Sequence, residues 1–122
     1  MATPRLQNYV RTYRRKSGLT QHEVGFLLGR QNGAQVSRYE KRRRLPPLET
    51  ALACEAVFGV PVSELFAGIS EATNKDIRKR MLELRLKLQS KTVKGSELIV
   101  NAHKLKWLDA RDGLHATETA TL

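Results

Sequence analysis

Residues 20–40 read TQHEVGFLLGRQNGAQVSRYE, and this stretch decides the fold of the N-terminal half of the chain. Thr20 precedes Glu23 at the spacing of a capping box, in which each side chain bonds the backbone of the other residue at a helix start. Apolar residues then recur at helical intervals until Gly29 interrupts them. The stretch therefore predicts a helix over residues 21–28.

A turn and a second short helix complete the same stretch. Residues 30–33 favour a turn, and residues 34–40 contain one clear apolar anchor, Val36. A helix with one buried anchor leaves its opposite, polar face exposed. The basic residues 41–44 and two prolines end this helix, because a residue before proline is disfavoured in helical conformation.

Three further helices are predicted around this pair. The first spans residues 5–16 and stops at Gly18, and the fourth spans residues 48–58 and stops at Gly59. A short fifth helix follows, with Ser63 as its N-cap. The first part of the chain is therefore expected to form a compact domain of five helices.

Residues 71–90 are rich in leucine, lysine, arginine and glutamate, which are good helix formers. In a helix, Leu82 and Leu86 project from one side and a second apolar stripe lies nearly opposite. That stripe consists of Ile77, Met81, Leu84 and Leu88. The alternation over residues 82–88 is also compatible with a strand, although it lacks β-branched and aromatic residues. A helix with two apolar faces is expected to pack against two partners.

A last helix is predicted from Ser96, as its N-cap, to about residue 110, with Trp107 on an outer side. Its expected inward residues are Leu98, Ala102 and Leu105. The chain is thus divided into a domain at residues 1–68, a helical appendage at residues 69–112 and a disordered tail at residues 113–122. The expected fold class is all-α.

The composition excludes several classes of protein. Of 122 residues, 22 are Lys or Arg and 12 are Asp or Glu, so the formal net charge is +10, which favours polyanionic partners. The single cysteine, Cys54, allows no intramolecular disulfide and is expected to be a small buried apolar group. No stretch is apolar enough for a signal peptide or a membrane span, so a cytoplasmic protein without membrane contact is expected.

Nothing in the sequence predicts catalysis or metal binding. His22, His103 and His115 are far apart and have no acidic partner at ligand spacing. The sequence also lacks glycine-rich phosphate loops, nucleophile elbows and paired carboxylates. We therefore expect neither an enzyme nor a cofactor.

Several short motifs occur in one order between Leu6 and Phe66. They are Arg14 before Gly18-Leu19-Thr20-Gln21, then Glu23-Val24, Leu28-Gly29, Val36-Ser37-Arg38-Tyr39-Glu40, Pro47-Leu48-Glu49, Phe58-Gly59-Val60-Pro61 and Glu64-Leu65-Phe66. In order and spacing these motifs resemble the phage-repressor (Xre/Cro-type) helix-turn-helix family. The resemblance implies a five-helix repressor-like helix-turn-helix domain with a C-terminal helical appendage, in which the third helix enters the major groove of DNA.

The resemblance and the chemistry of the groove together predict which residues contact bases. If Val36 points into the core, the opposite side of the third helix faces DNA. The expected base contacts are Gly33, Ala34, Gln35, Ser37 and Arg38. Arg38 can bond guanine in bidentate fashion, and Gln35 can bond adenine. Arg38 also has a plainer interpretation, as a surface arginine paired with a carboxylate or a phosphate.

A second group of residues is expected to contact phosphates. Gln21 lies at the start of the second helix, where backbone N–H groups and the helix dipole favour anions. The expected phosphate contacts are Thr20, Gln21, Tyr39, Lys41, Arg42, Arg43 and Arg44. The basic run is also compatible with a solvated loop. In similar proteins the positions that match Arg14 and Glu40 form a structural pair. The resemblance therefore implies that these two residues stabilise the fold rather than bind DNA.

Two positions depart from the family pattern. The interval from Thr20 to Val36 is one residue longer than usual, and the extra residue falls in the turn between the second and third helices. Asn32 and Gly33, which are suited to positive φ, are expected to absorb it. Gly25 stands where the family favours alanine, at a cost of about 1 kcal/mol within a helix.

These inferences predict a sequence-specific transcriptional regulator, a prokaryotic or phage repressor that binds a pseudo-palindromic operator on double-stranded DNA as a homodimer. It would be cytoplasmic and nucleoid-associated. The expected dimer contacts are Leu82, Leu86 and Trp107, unless both apolar faces pack on the N-terminal domain. A second interpretation is an antitoxin or interaction module whose C-terminal helices bind a protein partner. Non-specific or RNA binding is less compatible with the few aromatic residues.

Overall fold

The computed structural model describes residues 7–120, with side chains described for residues 7–112. Within these residues the chain contains helices and no strand, which confirms the all-α prediction. The helices are α1 (Val10–Ser17), α2 (Gln21–Leu27), α3 (Ala34–Glu40), α4 (Leu48–Phe58), α5 (Val62–Leu65), α6 (Ala67–Ser90) and α7 (Ser96–Ala120). Five short helices followed by two long ones agree with the predicted helix-turn-helix domain and helical appendage.

The chain forms two compact units, one that ends at Thr73 and one that begins at Asn74. The division therefore lies inside α6, a few residues after the predicted boundary at residue 68. The first turns of α6 belong to the first unit because Ile69 packs against its core. The Gly68 N–H also donates to the Gln7 carbonyl of that unit, at 2.9 Å.

The core of the first unit joins α1, α4, α5 and the residue before α6. Its buried cluster consists of Val10, Ala51, Cys54, Leu65 and Phe66. Around this cluster pack Tyr13, Leu28, Phe58, Val60, Val62 and Ile69. Cys54 is fully buried, and burial raises the pKa of its thiol to about 11. On α2 and α3 the fully buried residues are Val24 and Val36.

The first helix begins later than its apolar spacing predicts. Residues 7–9 are not helical and α1 starts at Val10, while the predicted start lies outside the described residues. The Asn8 side chain accepts the Val10 N–H at 3.3 Å, and the Tyr9 N–H donates to the Leu65 carbonyl at 2.7 Å. These bonds hold the segment in a non-helical path, and periodicity alone does not reveal them.

Two of the predicted N-caps are wrong. The fifth helix begins at Val62, before Ser63, and its first N–H donates to Glu55 Oε1 at 2.8 Å. Ser96 is the first residue of α7 rather than its cap, and it follows Gly95 at φ +65°. At α5 a carboxylate from a neighbouring helix thus replaces the local serine as the acceptor.

In the second unit, the C-terminal part of α6 packs against α7. Leu88 and Leu108 are buried, and the amide of the buried Asn101 donates to the Leu88 carbonyl at 3.1 Å. That carbonyl lies in the last turn of α6, where no donor within the helix remains. Ion pairs between the two helices join Arg85 to Asp109 and Asp112.

The inward face of α7 differs from the predicted one. Leu98 and Ala102 are exposed and Leu105 is half-buried, whereas Asn101 and Leu108 are buried. Apolar residues lie on several sides of α7, so their periodicity does not single out one face. The hydrogen bond from the Asn101 amide to α6 is a polar contact, which the spacing of apolar residues does not predict.

One of the two predicted stripes of α6 is covered in part. Leu88 is buried and Met81 is half-buried, but Ile77 and Leu84 of the same stripe are 40% and 47% exposed. On the other stripe, Leu82 and Leu86 are 54% and 58% exposed. The helix is continuous through residues 82–88, so the alternative interpretation as a strand is wrong.

The last helix continues beyond the predicted end of the appendage. It extends to Ala120, over most of residues 113–122, for which a disordered tail is predicted. Because a helix extends readily once it is nucleated, a polar segment without proline can continue an existing helix. Residues 121–122 of the predicted tail lie outside the described residues.

Candidate DNA interface

The interface begins at the capping box before α2. Thr20 Oγ1 accepts the Glu23 N–H at 3.0 Å, and Glu23 Oε1 accepts the Thr20 N–H at 2.9 Å. Both bonds of the predicted capping box are therefore present. The hydrogen bonds from Thr20, chiefly that from its backbone N–H, lower the pKa of the Glu23 carboxyl. The box explains why α2 starts at Gln21.

The carboxylate of Glu40, at the end of α3, joins three helices. Its side chain is 3% exposed, and it accepts bonds from Arg14 Nε at 2.6 Å and Arg14 Nη2 at 3.1 Å. The Gln21 amide donates to the same carboxylate at 3.2 Å. Arg14 Nη1 also donates to the Leu19 carbonyl at 3.0 Å, and the hydrogen bond to Glu40 raises the pKa of Arg14. The pair that the resemblance implies thus fixes α1, α2 and α3 to one another.

The turn between α2 and α3 lies directly against α2. A Cβ atom at Gly25 would be 2.2 Å from the Asn32 carbonyl oxygen. A Cβ atom at Gly33 would be 2.7 Å from the Gln21 carbonyl carbon. Both distances are far below van der Waals contact, so each position accommodates only glycine without movement of the backbone. The Asn32 carbonyl therefore approaches α2 at the position where Gly25 leaves room for it.

Neither Asn32 nor Gly33 adopts the positive φ to which both are suited. Gly33 has φ −89°, Arg42 is the one described non-glycine residue with positive φ, and in this turn it is Gly29 that has a positive φ, of +79°. Asn32 contributes its side chain instead, because its Oδ1 accepts the Ala34 N–H at 2.9 Å at the start of α3. Gly33 is therefore required for the close approach of two backbones rather than for an unusual dihedral angle.

The third helix has the predicted bounds and a polar exposed side. Val36 and Tyr39 are buried, with exposures of 0% and 2%. Ala34 and Arg38 are exposed, and Ser37 is half-buried beside them. Because residues four apart share one face of a helix, the exposed side centres on Ala34 and Arg38.

Tyr39 is buried, so its ring is a packing group of α3. Three other predicted contact residues have surroundings that the sequence did not indicate. Gly33 is half-buried against α2. The Gln21 amide is engaged on Glu40 rather than free. Gln35 is half-buried, and within the described part of the chain no donor reaches its buried Oε1. The sequence pattern around these positions describes their spacing but not these tertiary contacts.

The basic residues 41–44, which we call the basic loop, are all exposed. The loop begins with a Schellman motif, in which the Arg42 N–H donates to the Tyr39 carbonyl at 3.0 Å and the Arg43 N–H donates to the Arg38 carbonyl at 2.9 Å. Arg42 has φ +61°, a left-handed conformation that costs an L residue roughly 1–2 kcal/mol. The sequence gives no signal for this feature, because neither glycine nor asparagine follows α3.

Two helices joined by a short turn, the second exposing a polar face next to a basic loop, define a helix-turn-helix DNA-binding domain. Residues 10–65 match the family model described as Helix-turn-helix. This segment belongs to the Xre/Cro-type helix-turn-helix family, and its domain is that of a DNA-binding transcriptional regulator. No curated protein and no solved structure matches the chain.

Two further properties concern only the described residues. None of the helices there combines the length and the apolar character that crossing a bilayer requires. In the same residues, His, Cys, Asp and Glu side chains form no group of three or more that could hold a metal ion.

Proposed function

We propose that the protein is a sequence-specific repressor that binds a pseudo-palindromic operator as a homodimer. The observation that supports this function is the exposed side of α3, with Arg38 at its centre, next to the basic loop. A helix of 7 residues is about 10 Å long, and the major groove of DNA is about 12 Å wide. Groups that read bases and groups that bind phosphates then lie side by side, as sequence-specific recognition requires.

The proposed base contacts follow from the surface of α3. Arg38 is exposed, and within the described residues no carboxylate pairs with it, so its guanidinium is available to O6 and N7 of guanine. Ala34 is available to a thymine methyl group, and Ser37 lies beside them. Gln35 contributes if its carboxamide turns outward, because the adenine amino group supplies a donor for its unpartnered Oε1.

The proposed phosphate contacts surround this face. Residues 41–44 carry four positive charges in a loop, and the release of counterions from DNA favours their binding. Gln21 and Thr20 lie at the N-terminus of α2, which attracts anions through its free N–H groups. One amide hydrogen of Gln21 is engaged on Glu40, which leaves the other for a phosphate oxygen.

Selection of bound sequences from a random duplex library tests the function. We expect an enriched inverted repeat whose half-sites are one helical turn, about 34 Å, apart. Arg38→Ala should relax one base position in each half-site and weaken operator binding by about 1–3 kcal/mol, because a bidentate contact is lost.

Arg44→Ala is the matched control, since it removes an exposed arginine from the basic loop. This variant should weaken binding to all sequences alike and leave the enriched motif unchanged. A wild-type selection without an enriched motif would contradict sequence-specific binding. An Arg38→Ala motif identical to that of the wild type would remove Arg38 from the base contacts.

The proposed homodimer forms through the second unit. Leu82 and Leu86 are one helical turn apart on α6 and more than half exposed, and Trp107 on α7 is 54% exposed. Large apolar side chains that remain exposed in one subunit are candidates for burial against a second copy. Their replacement should not disturb the interior of the subunit, because none of them is buried there.

The double variant Leu82→Glu, Leu86→Glu should therefore be a folded monomer, because association would bury unpaired carboxylates. Sedimentation equilibrium gives the mass, and circular dichroism shows whether the helices persist. Lys87→Glu changes the net charge by the same amount as the double variant, at an exposed position of α6 about 100–140° around the helix from the two leucines, and should leave the dimer intact. A dimer of unchanged affinity in the double variant would exclude this surface from the interface.

A further inference from the structure

Four helices of the first unit end at a residue with a left-handed backbone. Three of these residues are glycines, Gly18, Gly29 and Gly59, with φ of +76°, +79° and +69°. The fourth is Arg42, with φ +61°. The equivalent Schellman bonds at the ends of α1, α2 and α3 are Leu19 N–H to Arg14 carbonyl, Arg30 N–H to Gly25 carbonyl and Arg43 N–H to Arg38 carbonyl. The left-handed position after the helix is thus occupied by glycine at α1, α2 and α4, and by arginine at α3.

An arginine is unfavourable at this position for conformational reasons. Glycine adopts a left-handed backbone freely, whereas a Cβ atom crowds the neighbouring carbonyl. Arg42 is exposed, and in the described part of the chain no carboxylate forms an ion pair with it. Its charge is favourable at a helix C-terminus, but Lys41 and Arg43 supply the same charge there.

We propose that Arg42 is a DNA phosphate-binding residue whose charge strengthens binding while its backbone conformation weakens the fold. This inference rests on the proposed DNA-binding function. The Schellman bonds require a left-handed residue here, but no ion pair within the described residues explains why it is arginine rather than glycine, and strained residues occur at functional sites. Here the strained residue lies directly after the helix that is proposed to read the bases. The nearest anionic groups in a complex are then the phosphates beside the major groove.

The variant Arg42→Gly separates the effect on stability from the effect on DNA binding, because the stability of the fold should rise while the affinity for DNA should fall. Its midpoint of thermal unfolding should rise by about 4 °C, since glycine relieves the left-handed strain. Its affinity for a labelled 30-base-pair duplex of arbitrary sequence should fall roughly tenfold. The slope of log affinity against log salt should become shallower by about 1, which corresponds to one phosphate contact.

The unfolding of the first unit can be followed by itself. All three tyrosines, Tyr9, Tyr13 and Tyr39, lie in the first unit, and the single tryptophan lies in the second. In a Trp107→Phe background, where tryptophan no longer overlaps the tyrosine bands, near-ultraviolet circular dichroism therefore reports the unit that contains Arg42. A repeat at high salt screens the attraction between charges and the helix dipole and isolates the conformational effect.

Two variants serve as controls. Arg42→Lys keeps both the charge and the left-handed backbone, so its salt slope and midpoint should remain those of the wild type. Lys41→Gly removes a neighbouring charge at an ordinary φ of −82°, so its midpoint should fall rather than rise. A rise in the midpoint for both glycine variants would show that charge, not conformation, limits stability.

The outcomes distinguish this inference from the proposed function. A wild-type chain that binds no duplex at 50 mM salt would overturn the proposed function and this inference with it. If the wild type binds but Arg42→Gly has unchanged affinity and slope, the phosphate contact is wrong while the function stands. If Arg42→Gly is no more stable than the wild type, the conformational part is wrong.

Discussion

Replacing Glu40 by alanine is expected to destabilise the first unit more than the removal of any contact on its surface. The side chain of Arg14 is 13% exposed, and without Glu40 its guanidinium remains buried with only the Leu19 carbonyl as a partner. Loss of one partner from a buried ion pair costs about 3–5 kcal/mol. Small domains have a free energy of unfolding of about 5–15 kcal/mol, so a large fraction of the molecules would unfold on mild denaturation. Urea titration followed by the tyrosine signal measures the loss.

Because the pair is buried, the double variant should recover much of this loss. In Arg14→Met, Glu40→Leu neither charge remains in the interior, and such replacements are often neutral or stabilising. The matched control is Glu49→Ala, which removes an exposed carboxylate from the first turn of α4 in the same unit. That change should cost about 0.3–1 kcal/mol. A Glu40→Ala variant that loses no more stability than Glu49→Ala would show that the buried pair is not structurally important.

Replacing Gly25 by alanine is the second change with a large expected effect. Within an isolated helix alanine would be favoured by about 1 kcal/mol. Here the new Cβ atom would lie 2.2 Å from the Asn32 carbonyl oxygen, so the turn and the start of α3 must move. We expect a net loss of about 2 kcal/mol in stability, measured by urea unfolding, because overpacking costs about 1–3 kcal/mol. Operator affinity should fall about tenfold as α3 is displaced.

Deletion of one turn residue tests whether the extra residue causes this close approach. In the background of Gly25→Ala, deletion of Gln31 should restore part of the lost stability, since the shorter turn no longer brings the Asn32 carbonyl onto α2. His22→Ala, at an exposed position of the same helix, should change stability by less than about 0.5 kcal/mol. If the deletion lowers the stability of Gly25→Ala further, the extra residue and Gly25 are independent features.

The parts of the fold that depend on local chemistry were predictable from the sequence. The capping box at Thr20, the bounds of α3 and the end of α4 at Gly59 each rest on interactions within a few residues. Local spacing also identified Val36 as the buried anchor of α3. These predictions succeeded because the groups that satisfy each helix end are neighbours in the chain.

The parts that failed depend on contacts between distant segments. Gly33 was assigned a positive φ, but its role is the backbone approach of α3 to Gln21. The inward face of α7 was assigned to Leu98, whereas a hydrogen bond to α6 selects Asn101. No local pattern reports which distant carbonyl or carboxylate completes a helix end, so these features required the structure. The left-handed Arg42 was missed for a different reason, since arginine gives no signal for that conformation.

The rate at which a reagent modifies the buried thiol of Cys54 measures the opening of the first unit. With a pKa of about 11, almost no thiolate is present at neutral pH, and a side chain with 0% exposure is closed to a modifying reagent. Modification therefore requires an opening of the core, and because the chain has a single cysteine every adduct reports that one site. The ratio of this rate to that of a free thiol is the fraction of time that the core is open. Operator DNA that binds only the closed form would lower the rate of thiol modification as the fraction of protein bound to DNA rises.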